Sequence, residues 1–316
     1  MQESIQVALI GCGYMGREHA AAIARSNDFD VVATCDPVQG PLNAVPHYVT
    51  AEELLRNHHP DLAVLSLPNF EYERQVRLLS DAGVSILCEK PLGRDLESCR
   101  AIVAAAEEAG VRLFVSAQRK YHTTLRRAIT EIRELGPTFA NCLFSYYWPP
   151  AFGSPTWRHD LARSGGIAII DTGWHALDYL EHTLGMPDEV YCQTTSLKEH
   201  PQIDSQAAVM LRYASGAVIN LVFNYVSPVQ SFEFHFFRED RSVFVDTTQL
   251  LRYHGKDAER MLSPEGEQPM DLMYRELSSA LRGEESFITD GTHAIRIMSL
   301  VHACYESARS NELVKL

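Results

Sequence analysis

Residues 5–16 read IQVALIGCGYMG, a short β-branched apolar run that stops abruptly in a glycine-rich turn. A run of this length bounded by glycine predicts a buried parallel strand over Ile5–Ile10. Gly11, Gly13 and Gly16 make a G-x-G-x-x-G spacing, and a helical pattern follows from about Met15 to Ala24. The spacing alone is a weak signal. Its position between a strand and the start of a helix is what a dinucleotide pyrophosphate requires. Gly11 allows the tight turn, Gly13 lets backbone approach the pyrophosphate, and Gly16 lets helix and strand pack closely. The helix N-terminus adds partial positive charge. Asp36 ends a second predicted strand, Asp30–Cys35, at a place where a carboxylate accepts hydrogen bonds from ribose hydroxyls and repels a 2′-phosphate. No arginine or lysine lies between Cys35 and Gly40. NAD is therefore favoured over NADP.

The same alternation runs outward from this motif. Helix patterns near Ala51–Arg56, Tyr72–Ala82 and Leu96–Ala109 alternate with strand patterns at Leu62–Leu67, Val84–Cys88 and Val111–Ser116. Elements of this order and length predict βαβ units and a doubly wound α/β parallel sheet, with right-handed crossovers placing helices on both faces. The rhythm changes after about residue 120. A helix over Thr124–Leu135 stops at Gly136-Pro137. Alternating segments follow at Phe139–Trp148, Glu189–Ser196, Ala207–Tyr213, Ala217–Tyr225, Phe232–Phe237 and Ser242–Asp246, some separated by turn residues such as Ala214-Ser215-Gly216. They predict an antiparallel sheet, closed by helices over Pro269–Leu281 and Thr292–Ser310. The expected organisation is a Rossmann domain over 1–120 and an α+β substrate-binding and catalytic domain over 121–316, with a cleft between them.

Composition agrees with two packed domains. The chain has 316 residues, about two domains on a prior of roughly 150 residues each. With 46% apolar and 22% charged residues it can bury real cores. A net charge of −13 disfavours nucleic acid and anionic membrane surfaces as partners. No signal-peptide pattern or transmembrane-length apolar run is present. The seven cysteines, Cys12, Cys35, Cys88, Cys99, Cys142, Cys192 and Cys304, lack CxxC spacing. They read as small buried hydrophobes in a reducing cytoplasm.

Two constellations carry candidate chemistry. Glu89-Lys90-Pro91 follows the fourth main strand, on the sheet edge where open α/β folds bind ligands. A lysine there can polarise a substrate oxygen or stabilise an alkoxide, and an X-Pro bond at a strand end can be cis. Left to itself, the segment also reads as a surface lysine after a strand. The second constellation is Gly165-Gly166 followed by Asp171, His175 and Asp178. If Asp171–Leu184 is helical, these three fall along one face, with Leu177, Leu180 and Leu184 on the other. An imidazole flanked by carboxylates suits a general base. The plainer reading is a solvated face with a capping aspartate. No third ligand has a spacing that suggests metal, so none is expected.

Taken in order, GCGYMG at 11–16, Cys35-Asp36-Pro37, Glu89-Lys90-Pro91 and the GG-x4-D-x3-H run from Gly165 to His175 resemble the glucose–fructose oxidoreductase, inositol dehydrogenase and MocA (Gfo/Idh/MocA) family, over nearly the whole chain. The resemblance implies a Rossmann domain joined to an α+β domain whose large open, mainly antiparallel sheet serves in oligomerisation, as a homodimer or homotetramer. It implies Lys90 at the substrate hydroxyl and nicotinamide ribose, His175 as acid/base, and Asp171 beside it as a third catalytic group. Along the cofactor it implies Gly11, Gly13, Tyr14, Met15, Gly16, Asp36, the loop Ser66, Leu67, Pro68 and Asn69, then Glu89, Lys90 and Gln118. At the substrate it implies Lys90, Arg119, Trp157, Arg158, Asp171 and His175. Many members carry histidine three residues after the asparagine, where this chain has Tyr72.

The function expected from these residues is NAD-dependent hydride transfer at a secondary hydroxyl or ketone of a sugar, sugar phosphate or cyclitol. Lys120 and His159 add polar groups near the expected pocket, and Trp148 and Trp157 could stack on a sugar ring. The cations would suit a phosphorylated or acidic sugar, or else be solvated or paired to Asp160 and its neighbours. Two other readings use the same residues: a glycoside-cleaving enzyme that oxidises, eliminates and re-reduces on held NAD, and a non-catalytic NAD-binding sensor.

Overall fold

The computed structural model describes residues 3–42, 44–147, 156–262 and 268–316. The chain divides into two compact units: residues 1–118 with 268–295, and residues 119–267 with 296–316.

The first unit is built on a sheet whose described strands run β15-β6-β5-β4-β1-β2-β3. They are β1 (Ile5–Ile10), β2 (Phe29–Cys35), β3 (His47–Tyr48), β4 (Leu62–Leu65), β5 (Ser85–Glu89), β6 (Leu113–Ser116) and β15 (Thr289–Asp290). β1 to β6 are all parallel, in the Rossmann order 3-2-1-4-5-6. β4 and β6 are wholly buried, and β1 and β5 are buried beyond their first residues, which matches their mainly apolar character as inner parallel strands. Local caps start the helices: Thr50 accepts the Glu53 N–H ahead of Ala51–Asn57, and Asp95 and Ser98 form a reciprocal capping box ahead of Leu96–Glu108.

A division at residue 120 does not include one feature of this unit, the return of residues 268–295 to it. β15 pairs antiparallel with β6 and covers that edge. The helix Pro269–Leu281 docks by side chains from end to end. Arg25 grips Asp271 with two nitrogens, Arg112 donates to the Ala280 carbonyl, and Arg282 meets Asp28 at 3.0 Å.

The second unit carries a large sheet, mainly antiparallel, in the order β14-β13-β12-β11-β7-β10-β9-β8-β16. Its strands are β7 (Phe139–Tyr147), β8 (Glu189–Ser196), β9 (Asp204–Arg212), β10 (Val218–Asn224), β11 (Val226–Arg238), β12 (Arg241–Asp246), β13 (Gln249–His254), β14 (Asp257–Leu262) and β16 (Val314–Lys315). β7 and β10 form its one parallel pair among the described strands. β9 alternates buried and exposed residues along its central part, so one sheet face is covered and the other open. The helix Thr123–Leu135 stops at Gly136, whose φ of +58° is the left-handed cap that the Gly-Pro signal predicts. Gly216 turns the β9–β10 hairpin at φ +86°.

The helix expected over Asp171–Leu184 is formed but does not keep α geometry in its first turn. Ala168–Gly173 is a π-helical turn, and the α-helix proper is Trp174–Leu184. The Ile167 carbonyl accepts both the Asp171 and the Thr172 N–H, each at 3.0 Å, so the ladder widens by one residue there. Nor does the helix present a polar face. Every residue from Trp174 to Glu181 is buried, His175 and Asp178 included. All seven cysteines are buried and none is in a disulfide.

Candidate active site

In the first unit the candidate residues collect at the C-terminal edge of the parallel strands. Gly11 sits at φ +97°, and a Cβ there would lie 2.4 Å from the Ser66 carbonyl oxygen. A Cβ on Gly16 would lie 2.0 Å from the Gly11 carbonyl oxygen. Strand, turn and helix are in backbone contact at both points, and any side chain would force them apart. Gly13 differs, because nothing among the described residues lies within 4 Å of its missing Cβ. Gly13 is also the N-cap of the helix Tyr14–Arg25, which has no side-chain cap and no acidic residue in its first turn. Tyr14 is 70% exposed beside it, and Met15 is half-buried. The result is an open backbone cradle at a helix N-terminus, suited to a pyrophosphate.

Asp36 has a second task that its position in the sequence does not reveal. Its Oδ2 accepts the Cys12 N–H at 2.8 Å, and its Oδ1 accepts those of Val38 and Gln39 at 2.8 and 2.7 Å. Burial acts to raise its pKa, but the N–H groups of Gln39, Cys12 and Val38 outweigh burial and hold the carboxyl below its ordinary value. A carboxylate offers about four acceptor sites; the backbone uses three, locking the glycine turn to the end of β2.

Farther along the edge, Ser66 Oγ and Gln118 Oε1 are buried with no partner among the described residues. Such atoms call for a polar ligand or water. Leu67 and Pro68 are half-buried, and Asn69 is buried, its amide donating to the Gly93 carbonyl at 3.2 Å. Tyr72 is fully buried. The open cradle and these orphaned atoms fit a dinucleotide.

Lys90 is half-buried immediately after β5, and the Lys90–Pro91 bond is cis. Glu89 before it is buried and meets His19 Nε2 at 3.0 Å, while His19 Nδ1 lies 2.8 Å from the Tyr274 hydroxyl. This buried chain ties the tripeptide to the first helix and to the returning segment. It escapes sequence reading because its members are 70 and 255 residues apart.

In the second unit, Arg158 Nε meets Asp171 Oδ2 at 3.3 Å, and its guanidinium lies over the Trp157 ring, 4.4 Å from the centroid. The charge expected near Asp160 therefore pairs with Asp171, while Asp160 caps the next turn and meets Arg163. Arg119 stacks over Phe144 at 5.0 Å, and the Phe144 ring lies 6.3 Å from that of His175. Phe144 thus links two candidates through an aromatic position that no motif marks. Tyr225, buried nearby, has its pKa raised by burial and by the Asp171 charge.

Two buried contacts are added to the expected set, for Asp178 faces Lys120 at 3.3 Å and His182 at 3.6 Å. Lys120 is buried in that ion pair rather than presented as a pocket cation, because its ammonium lies among Asp178, His182 and the Tyr121 ring. His159 is also buried, with Nδ1 accepting the Thr156 N–H and its ring tilted against that of His200, 4.2 Å between centroids. Trp148 lies outside the described residues.

Comparison with known proteins matches these two units to two models of one family. Residues 5–117 match the Gfo/Idh/MocA oxidoreductase family, NAD-binding Rossmann fold, and residues 122–244 match a Gfo/Idh/MocA C-terminal domain. A D-xylose 1-dehydrogenase (NADP(+)) from Haloferax volcanii is 29% identical over 313 residues, covering 95% of this chain and 93% of its own. A D-apiose dehydrogenase from Paraburkholderia graminis is 24% identical, covering 98% and 89%. Among solved structures, the WlbA dehydrogenase from Bordetella pertussis, in complex with NADH and UDP-GlcNAcA, superposes with a TM-score of 0.82 at 24% identity, covering 99% of both chains. At that identity the likeness speaks for the fold.

Proposed function

This chain belongs to the Gfo/Idh/MocA oxidoreductase family, and from that premise we propose that it oxidises and reduces a secondary hydroxyl of a sugar, sugar phosphate or cyclitol, with NAD preferred to NADP. The coarser statement, an NAD(P)-dependent sugar oxidoreductase, stands on the family and on its relatives. The finer reading rests on one observation: His175 is the second residue of a buried helix directly after the turn that carries Asp171, and Asp171 is held by Arg158.

Bound NAD supplies the hydride acceptor at the nicotinamide ring. The glycine turn, Asp36, Ser66 and Gln118 would hold the dinucleotide. His175 takes the hydroxyl proton in the oxidative direction and returns it in the reverse. Asp171 supports the resulting imidazolium. Lys90 steadies the negative charge that develops on the substrate oxygen. Arg119 and Arg158 contact the remaining hydroxyls, with Trp157 beneath the ring. The preference for NAD follows from the Asp36 carboxylate and from the lack of a cation between Cys35 and Gly40, although the Haloferax relative is named for NADP.

The test is a screen of NAD and NADP reduction across pentoses, hexoses, their phosphates and cyclitols, repeated with His175→Ala. A general base contributes roughly 10²–10⁴-fold, so turnover should drop by that factor with NADH affinity unchanged. Full turnover by the variant would sink the assignment. Assembly as a homodimer or homotetramer through the open sheet face is part of the same reading, since that face carries the exposed side chains Phe139, Met210 and Val222. Light scattering on the purified chain decides it.

A further inference from the structure

The turn that carries Asp171 begins without a local cap: Ile167 occupies the N-cap position and contributes no side-chain hydrogen bond. The first N–H groups of any helix need acceptors, and these are buried away from water. One carboxylate from the sheet supplies them. Asp204, the first residue of β9, accepts the Ile167 N–H on Oδ1 at 2.7 Å and the Ile169 N–H on Oδ2 at 3.0 Å. The Tyr305 hydroxyl donates to Oδ2 at 3.1 Å and lies 3.4 Å from the Ile170 nitrogen.

Gly166 is shaped to this arrangement. It sits at φ +133°, and a Cβ there would lie 2.1 Å from the Tyr305 hydroxyl and 2.8 Å from Asp204 Oδ1. At the far end of the turn, a Cβ on Gly173 would lie 2.6 Å from the Phe223 ring. The turn is therefore clamped at both ends, by hydrogen bonds to a carboxylate at one and by packing at the other. Burial pushes the Asp204 carboxyl up to about 6 even against the Ile167, Ile169 and Tyr305 donors and its own N–H, so it is the ionised, accepting form near neutral pH. An anion is also the charge that a helix N-terminus favours.

We propose that Asp204, seconded by Tyr305, is a positioning residue for the acid/base segment, capping from the sheet the π-helical turn that bears Asp171 and leads into His175. This rests on the acid/base reading given above, but its structural half can be measured without substrate. Asp204→Asn keeps the shape and turns one accepting oxygen into an amide that faces an N–H donor. Tyr305→Phe is the milder variant, removing one hydroxyl.

Hydrogen exchange by mass spectrometry on the full chain, with NADH titration alongside, reads the clamp directly. In Asp204→Asn, peptides over 166–173 should exchange about tenfold faster, the scale of a lost helix cap. Peptides of β10 and of the first unit should be unchanged, as should NADH affinity. Tyr305→Phe should move the same peptides by less, and it stands in for Asp204→Asn if that variant does not fold. On the sugar that reduces cofactor fastest in the screen, kcat of Asp204→Asn should fall on the order of 10–100-fold with KM little changed, as misplacement of a catalytic group does.

Unchanged exchange over 166–173 overturns the clamp. Faster exchange with wild-type kcat overturns positioning, since the contact is then merely structural. His175→Ala separates the two readings. Full turnover in that variant removes the acid/base assignment, whereas lost turnover there with intact kcat in Asp204→Asn removes only the positioning role.

Discussion

The two units differ in what organises their candidate sites. In the first, the dinucleotide cradle takes its position from backbone: glycines in contact with neighbouring carbonyls, N–H groups at a helix start, and Asp36 bonded to three peptide groups; the buried Glu89–His19 pair holds only the Lys90 tripeptide at its edge. In the second, position comes from charged side chains taken out of water, with Lys120 on Asp178 and Asp204 under a π-helical turn. Backbone construction leaves little to side-chain identity beyond the absence of a Cβ. Construction from buried charge makes each partner indispensable to the other.

The strongest way to break this contrast is Lys120→Met. With both side chains of the pair essentially unexposed, removing one partner should cost about 3–5 kcal/mol in urea unfolding, while Lys120→Met/Asp178→Leu should recover most of it. A single variant as stable as wild type would show that buried charge does not organise the second unit. Next in size is Gly11→Ala, which meets the Ser66 carbonyl from a backbone conformation that alanine disfavours. Strain of about 1–3 kcal/mol should appear as roughly 5- to 150-fold weaker NADH binding by fluorescence titration.

A third comparison uses pH. Burial, joined by the Arg119 charge, pushes His122 down to about 4 from 6.5. The folded protein keeps this imidazole neutral, so its contribution is present above pH 6.5 and is lost as pH falls through 4. Between pH 7 and 4 the wild type should lose on the order of 1–2 kcal/mol more than His122→Asn, allowing for its partial exposure. Parallel urea curves across that range would count against it. The smallest effect belongs to one of the first unit's exposed ion pairs, Arg25–Asp271, whose side chains are 47% and 32% exposed. Arg25→Ala should cost under about 1 kcal/mol despite good geometry. A larger cost would narrow the difference between the units.

What could be read in advance follows the same division. Backbone constraints are local, so the glycine turn and the order of strands and helices through residue 116 are legible from spacing alone. Short edge strands such as β3, β15 and β16 have only two residues each and no periodicity to betray them. Side-chain partnership is not local. The i+3 spacing from His175 places Asp178 on a shared helix surface but says nothing of Lys120, 58 residues earlier. The neighbouring Asp160 looks like the natural partner of Arg158, yet the carboxylate that meets it is Asp171. The π-helical turn is invisible for a related reason, since the groups at its entrance lie 37 and 101 residues apart from one another or from it.

The return of residues 268–295 to the first unit has a consequence for how the chain is made. A ribosome releases the first 118 residues long before the helix Pro269–Leu281 and β15 exist. Until they emerge, β6 is a bare sheet edge and His19 lacks the hydroxyl of Tyr274. The nascent Rossmann half must therefore wait, open-edged and prone to stray pairing, while all but the last strand of the other sheet is synthesised. A gene fragment cut near codon 120 would freeze the protein in that unfinished state.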